Sequence, residues 1–84
     1  KVTFELPPAI TADDVVVCGD FNGWGDEPTP LARRKDGRFS TTVTLAPGRY
    51  RFRYLVDGER WENDWSADDY VANEYGSDDS VVSV

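Results

Sequence analysis

Few side chains in this sequence are equipped for covalent or metal chemistry. Histidine is absent and cysteine occurs once in 84 residues, so zinc sites built from His and Cys and histidine-based triads are ruled out. Cys18 has no partner for an internal disulfide and sits in an apolar run, which reads as a buried, inert thiol. The acidic residues Asp64, Asp68, Asp69, Asp78 and Asp79 lack the spacing of a calcium loop and read as a solvated face; no metal and no cofactor are expected. What remains is aromatic. The segment Gly19-Asp20-Phe21-Asn22-Gly23-Trp24 follows the apolar run Val15 to Cys18 and must bend, because glycine accepts positive φ and asparagine tolerates it. Residues 25–30 look solvated. Trp24 is therefore either a lid on the core edge or a flat platform for a ligand, and this stretch alone leaves both open.

The elements that must carry this bend are strands. Val2, Phe4 and Leu6 alternate with polar residues until Pro7-Pro8, the period of a half-buried strand. Asp14 to Cys18 is a continuous β-branched run, and Leu31 to Arg34 is at best a short edge strand. Lys35-Asp36-Gly37 is a turn, Phe39 to Leu45 alternates again, and Ala46-Pro47-Gly48-Arg49 fits a type II turn. Tyr50, Phe52, Tyr54 and Val56 then form one face of a strand, and Arg49, Arg51, Arg53 and Leu55 the other. Asp57-Gly58 turns the chain into Arg60–Trp65. Ser66 to Asp79 is acidic and turn-rich, anchored by Tyr70, Val71 and Tyr75, and Ser80 to Val84 is a last strand. No segment has a helical period. The pattern is that of an all-β, immunoglobulin-like antiparallel β-sandwich forming one domain over residues 1–84, without the Cys…Trp…Cys spacing of antibody domains. The expected core is Phe4, Val15, Val17, Phe39, Val43, Tyr50, Phe52, Tyr54 and Val82.

A net charge of −7, from 16 acidic and 9 basic residues, repels a phosphate backbone or an anionic membrane surface, so neither nucleic acid nor membrane is an expected partner. No stretch is long enough to span a bilayer and no signal-peptide pattern is visible, so the expected location is cytoplasmic. The chain opens on Lys1 and not on Met, as a piece cut from a longer protein would.

One hairpin decides where Trp61 points. A two-residue loop of Asp57 and Gly58 pairs Tyr54 with Trp61 and sends the indole to the core. A three-residue loop of Val56, Asp57 and Gly58 pairs Arg53 with Trp61 and sends both outward, with glycine where a G1 bulge wants it. One residue of register exchanges the two faces, and periodicity favours neither.

The segments G-D-F-N-G-W, P-L-A-R-R-K-D-G-R-F, P-G-R-Y-R-F-R-Y-L-V-D-G-E-R-W and N-E-Y-G-S-D-D-S-V-V occur in the order seen in glycogen-binding early-set domains. From about Val2 to Val84 the chain resembles family 48 carbohydrate-binding modules. These include the isoamylase N-terminal domain and the glycogen-binding domain of the AMP-activated protein kinase beta subunit. The similarity is greatest to small stand-alone bacterial proteins of the isoamylase early-set type. It implies a β-sandwich that binds α-1,4-linked glucan: glycogen, starch or maltooligosaccharide. By resemblance Trp24 and Trp61 match the family's two stacking tryptophans, and Arg53 stands where the kinase module has lysine. Tyr75, Ser77 and Asp79 match a leucine, a threonine and an asparagine. One extra residue lies between Gly58 and Trp61, as a longer, outward-turning loop would need.

The residue chemistry agrees with that implication, since an indole packs on the apolar face of a pyranose and fixed polar groups read its hydroxyl rim. Trp24, Trp61 and Tyr75 supply faces; Arg53, Asn63, Ser77 and Asp79 supply the rim. Trp65 lies where the family places no contact and is assigned to the core edge. Glycoside hydrolysis needs two carboxyl groups about 5–10 Å apart in a cleft. A sandwich this small offers no deep cleft, so no catalytic residue is expected and the chain is read as not an enzyme. The alternative is an immunoglobulin-like domain that packs against a protein, such as a glucan-active enzyme, without binding sugar itself.

Overall fold

The computed structural model describes residues 1–84. Its strands are β1 (Val2–Glu5), β2 (Val15–Gly19), β3 (Thr29–Pro30), β4 (Ala32–Arg33), β5 (Phe39–Val43), β6 (Arg49–Val56), β7 (Arg60–Glu62), β8 (Asp69–Ala72) and β9 (Asp78–Ser83). The one helical element is the 3₁₀ turn Asp20–Asn22. A sheet in the order β1-β5-β4 faces a sheet in the order β3-β2-β6-β9-β8, with β7 also on β6. All pairings are antiparallel. The result is the expected immunoglobulin-like β-sandwich.

β6 is the axis of the larger sheet. One edge pairs with β2, from Val15↔Val56 to Gly19↔Phe52. The other edge is shared by β9 along Arg49–Phe52 and β7 along Tyr54–Val56. Strict alternation sends Phe52, Tyr54 and Val56 into the core, where they meet Phe4, Leu6, Val15, Val17, Leu31 and Phe39. Phe4 packs edge-to-face on Phe52, and Phe52 on Tyr54, with ring centres 4.9 and 5.7 Å apart. The Tyr54 hydroxyl donates to Asp64 Oδ2 at 2.9 Å. Burial, first, and the neighbouring Asp64 carboxylate push this phenol far above its ordinary pKa, so it remains a donor.

Several expectations are corrected. Val43, Tyr50 and Val82 are only partly buried, because they sit near strand ends at the rim; Leu6, Leu31, Val56 and Val81 are buried as well. The single strand expected at Leu31–Arg34 is split into β3 and β4. The chain leaves one sheet for the other at Leu31, whose N–H bonds Val15 O at 2.9 Å while its side chain enters the core. Gly48 is not in a type II turn: with φ 154 it exchanges two backbone hydrogen bonds with Val84. The acidic stretch contains a strand, β8, which lies at the sheet edge with β9 as its partner. Trp65 is 61% exposed and not at the core edge. The preceding Asp64 turns inward to Tyr54 and Ser80, which leaves Trp65 beside Leu6, Pro7 and Pro8 at the surface. Cys18 is buried as expected, and desolvation raises its thiol pKa.

The β6–β7 hairpin takes neither of the two registers considered. Val56 pairs with Arg60 across Asp57, Gly58 and Glu59, so Trp61 lies opposite Leu55. The loop is odd in length, and the indole therefore points outward. Asp57 and Gly58 both have positive φ, 54° and 70°, and Glu59 is the additional residue. Asp57 Oδ1 accepts from the N–H groups of Asp13 and Asp14, both at 2.9 Å, which fastens the hairpin to the entry of β2.

Two outcomes are expected. Gly19 is extended (φ −166), so its lack of a side chain serves close approach: a Cβ there would lie 2.5 Å from Arg51 O and 2.9 Å from Phe52 Cβ. Gly19→Ala should destabilise the fold by about 1–3 kcal/mol in denaturant titration, as overpacking does. The hydrogen bonds from Asp13 and Asp14 hold the Asp57 carboxyl below its ordinary value. A depressed carboxylate contributes stability above its unfolded pKa of about 3.9 and loses it as pH falls through the folded value. Thermal stability should thus decline below about pH 4, and Asp57→Asn should be less stable at neutral pH with a shallower acid decline.

Candidate functional site

The outer face of the larger sheet carries a groove of about 890 Å³. Its floor comes from β6: Arg51 and Arg53, the outward residues of the alternating strand. Trp61 of β7 stands on the same side because it pairs with Leu55. Asp79 of β9 and the turn residues Asn73, Glu74 and Tyr75 form one wall, and Asp20 and Trp24 the other.

Trp24 and Tyr75 are each delivered by a loop with its own internal fastening. In Gly19–Trp24, Phe21 turns inward, its ring centre 5.2 Å from Phe4 and 6.3 Å from Tyr50. Asn22 stitches the bend: its Oδ1 accepts from Gly19 N–H at 2.9 Å, and its Nδ2 donates to Val17 O and Thr29 Oγ1. Gly23 then takes the left-handed conformation, φ 67. Trp24 emerges over the outer face, not the core, and is 37% exposed. Tyr75 sits at the tip of the β8–β9 turn and is 85% exposed. Asn73 holds that turn: Oδ1 accepts from the N–H groups of Tyr75 and Ser77 at 2.9 and 3.2 Å, and Nδ2 donates to Asp79 Oδ1 at 3.0 Å.

The polar groups are unequally free. Arg53 has no carboxylate within ion-pair distance. Its guanidinium carbon is 6.0 Å from the Trp61 ring centre, its Nη1 is 3.4 Å from Ser77 Oγ, and its buried Nε has no protein partner. Arg51 is held loosely, 3.9 Å from Asp79 Oδ2. Asp79 is 6% exposed, with one oxygen on Asn73.

The structure thus brings Trp24, Arg53, Trp61, Tyr75 and Asp79 to one groove, with Ser77 against Arg53. It does not bring Asn63 there. Both ends of that carboxamide are committed inside the fold: Nδ2 donates to Asp78 O at 2.9 Å and Oδ1 accepts from Ser80 Oγ at 2.8 Å. Asp20, Arg51, Asn73 and Glu74 line the groove without having been singled out. Arg51 was legible as the same-face neighbour of Arg53, two residues earlier on one strand. Asp20 and Asn73 carried no signal beyond lying in turns.

An aromatic groove with guanidinium donors and carboxylate acceptors suits a flat, polyhydroxylated, uncharged ligand. Over residues 3–84 the sequence matches the family described as the glycogen recognition site of AMP-activated protein kinase. Protein PTST, chloroplastic, of Arabidopsis thaliana is 43% identical over 53 residues, 61% of this chain and 19% of that protein. Protein FLOURY ENDOSPERM 6, chloroplastic, of Oryza sativa subsp. japonica is 40% identical over 53 residues, 63% of this chain and 10% of that protein. Phosphoglucan phosphatase LSF1, chloroplastic, of Arabidopsis thaliana is 34% identical over 47 residues, 56% of this chain and 8% of that protein. The matched region spans less than a fifth of each relative. These three and PTST homolog 2 are all named chloroplastic, which overturns the expectation of a cytoplasmic location. Compartment is written in targeting segments apart from a folded domain, so the strands and loops read above could not carry it.

Because Asn73 holds the turn that presents Tyr75, Asn73→Ala should lower stability by about 0.5–1.5 kcal/mol through loss of its bonds to the exposed Tyr75 and Ser77 N–H groups. Protease cleavage or amide exchange localised to residues 73–77 would check this.

Proposed function

This chain belongs to the family of the glycogen recognition site of AMP-activated protein kinase, non-catalytic glucan-binding domains, and we propose that its 84 residues form one module of carbohydrate-binding family 48 type. The module binds α-1,4-linked glucan along the outer-face groove. The observation that carries this reading is the convergence of Trp24, Trp61 and Tyr75, all exposed, on one groove with Arg53 and Asp79.

Each ring offers an apolar surface to a pyranose face. Arg53 donates to ring hydroxyls through the Nη groups of its guanidinium, while its Nε is buried beneath the groove. Asp79 and Glu74 accept from hydroxyls, and a hydroxyl can rotate to serve either role. Ser77 orients Arg53 and reaches the ligand only beside it. The chain carries out no hydrolysis; it holds glucan for chemistry done elsewhere, in the plastid of its relatives or beside a glucan-active enzyme.

A second reading rests on Trp65. It is more exposed than Trp24 or Trp61, and with Leu6, Pro7 and Pro8 it borders a separate depression of about 350 Å³. In that reading the domain packs Trp65 against a protein partner and binds no sugar. Retention on an amylose or glycogen column, released by maltoheptaose, supports the first reading; passage of folded protein straight through supports the second.

An open groove with stacked rings gives Kd between about millimolar and about ten micromolar, roughly −4 to −7 kcal/mol. Trp24→Ala and Trp61→Ala should each weaken binding by about 1–3 kcal/mol in calorimetry, as loss of a ring stacked on a nucleobase does. Trp65→Ala should leave glucan affinity unchanged.

A further inference from the structure

We infer that Asp20 is a positioning residue of the groove: its carboxylate fixes the plane of Trp24, and position 20 requires a hydrogen-bond acceptor at both side-chain oxygens. This rests on Trp24 being a stacking surface for glucan.

Asp20 Oδ1 accepts from the Trp24 indole Nε1–H at 2.8 Å, and Oδ2 accepts from the backbone N–H of Arg51, also at 2.8 Å. Both partners are donors only. One carboxylate therefore ties the indole to the central strand that floors the groove. Asparagine has the same shape but cannot do this. Whichever way its amide turns, an NH₂ group meets an N–H.

The loop needs such a tie. Trp24 has φ 56, in the left-handed region where a bulky residue is an outlier, and its backbone N–H is held by Gly19 O at 3.0 Å. The backbone places the Cβ of Trp24; the bond to Asp20 sets the ring beyond it. A ring already immobilised loses little rotamer freedom when a sugar stacks on it, which raises affinity without a new contact. The same bond consumes the only polar atom of the indole. Trp24 thus offers its ligand a face and no directional hydrogen bond, and the rim is read by other groups.

The test is Asp20→Asn, alone and combined with Trp24→Phe, in the full chain with maltoheptaose as probe. Asp20→Asn should weaken binding roughly 3- to 10-fold, the cost of immobilising one side chain on binding. It should also shift the Trp24 indole N–H resonance, assigned by its loss in Trp24→Phe, and speed its solvent exchange. In the Trp24→Phe background the same substitution should change affinity less than about twofold, because the partner donor is gone. Asp20→Glu, which keeps two acceptors, should recover part of the affinity. An undiminished effect in the Trp24→Phe background overturns the inference, as does an Asp20→Asn protein that binds like the parent. If Asp20→Asn does not fold, the parent protein decides. Its Trp24 indole proton should exchange more slowly than that of Trp65, and equal exchange overturns the inference. Failure of the glucan reading is distinct: Trp24→Ala would then bind as the parent does, while the slow indole exchange would persist.

Discussion

The structure depends on the alternation of side chains along β6. Phe52, Tyr54 and Val56 point one way and complete the core; Arg51 and Arg53 point the other and floor the groove. An extended chain cannot send neighbouring side chains to the same side, so core and binding surface are two faces of one strand. β2, β7 and β9 all pair with this strand and inherit its division into inside and outside. Gly19 shows how little slack there is, since its backbone approaches β6 closely at the point where the loop departs.

The face of a sheet has no cavity of its own, and the groove is built by what rises around it. Three loops do so, and each carries a small acidic or amide side chain that accepts from backbone N–H groups of its own or a neighbouring segment. Asn22 closes the bend before Trp24, Asp57 fastens the hairpin before Trp61, and Asn73 holds the turn under Tyr75. Short polar side chains that bond backbone N–H groups give turns a defined shape without a core. The rings are consequently exposed yet carried on ordered backbone, the condition for stacking without a large entropic loss.

The charge distribution fits an uncharged ligand. A chain at −7 keeps most of its arginines beside carboxylates, but Arg53 lies under the groove with no carboxylate partner. In the family to which the chain belongs, recognition is of glycogen, a polymer of neutral sugars. The relatives carry the matched region as less than a fifth of much longer proteins, one of them named a phosphatase, so in them it is one part of a larger protein. Trp65, apart from the groove, is the feature of this chain that glucan binding leaves unused.

By itself the sequence determined the sandwich, the inward face of β6 and a bend at Gly19–Trp24, because these follow from period-2 alternation and from the backbone freedom of glycine and asparagine; it left Trp24 open between core edge and surface. The motif resemblance added Trp24 as a stacking ring, and Trp61, Tyr75 and Asp79, which periodicity could not place. Tertiary structure decided the rest. The β6–β7 register was not legible because Val56, Asp57, Gly58 and Glu59 admit several loops, and the choice is made by Asp13 and Asp14, over forty residues away, donating to Asp57. Asn63 reads as a free polar residue until β9 lies beside it and takes both ends of its amide. Trp65 reads as core edge until Asp64 turns to Tyr54 and leaves the indole outside. Asp20 is one more acidic turn residue until Arg51 arrives from the central strand. Local spacing sets which way a strand's side chains alternate; which polar group meets which is set by contacts between segments far apart in the chain, and no local pattern records them.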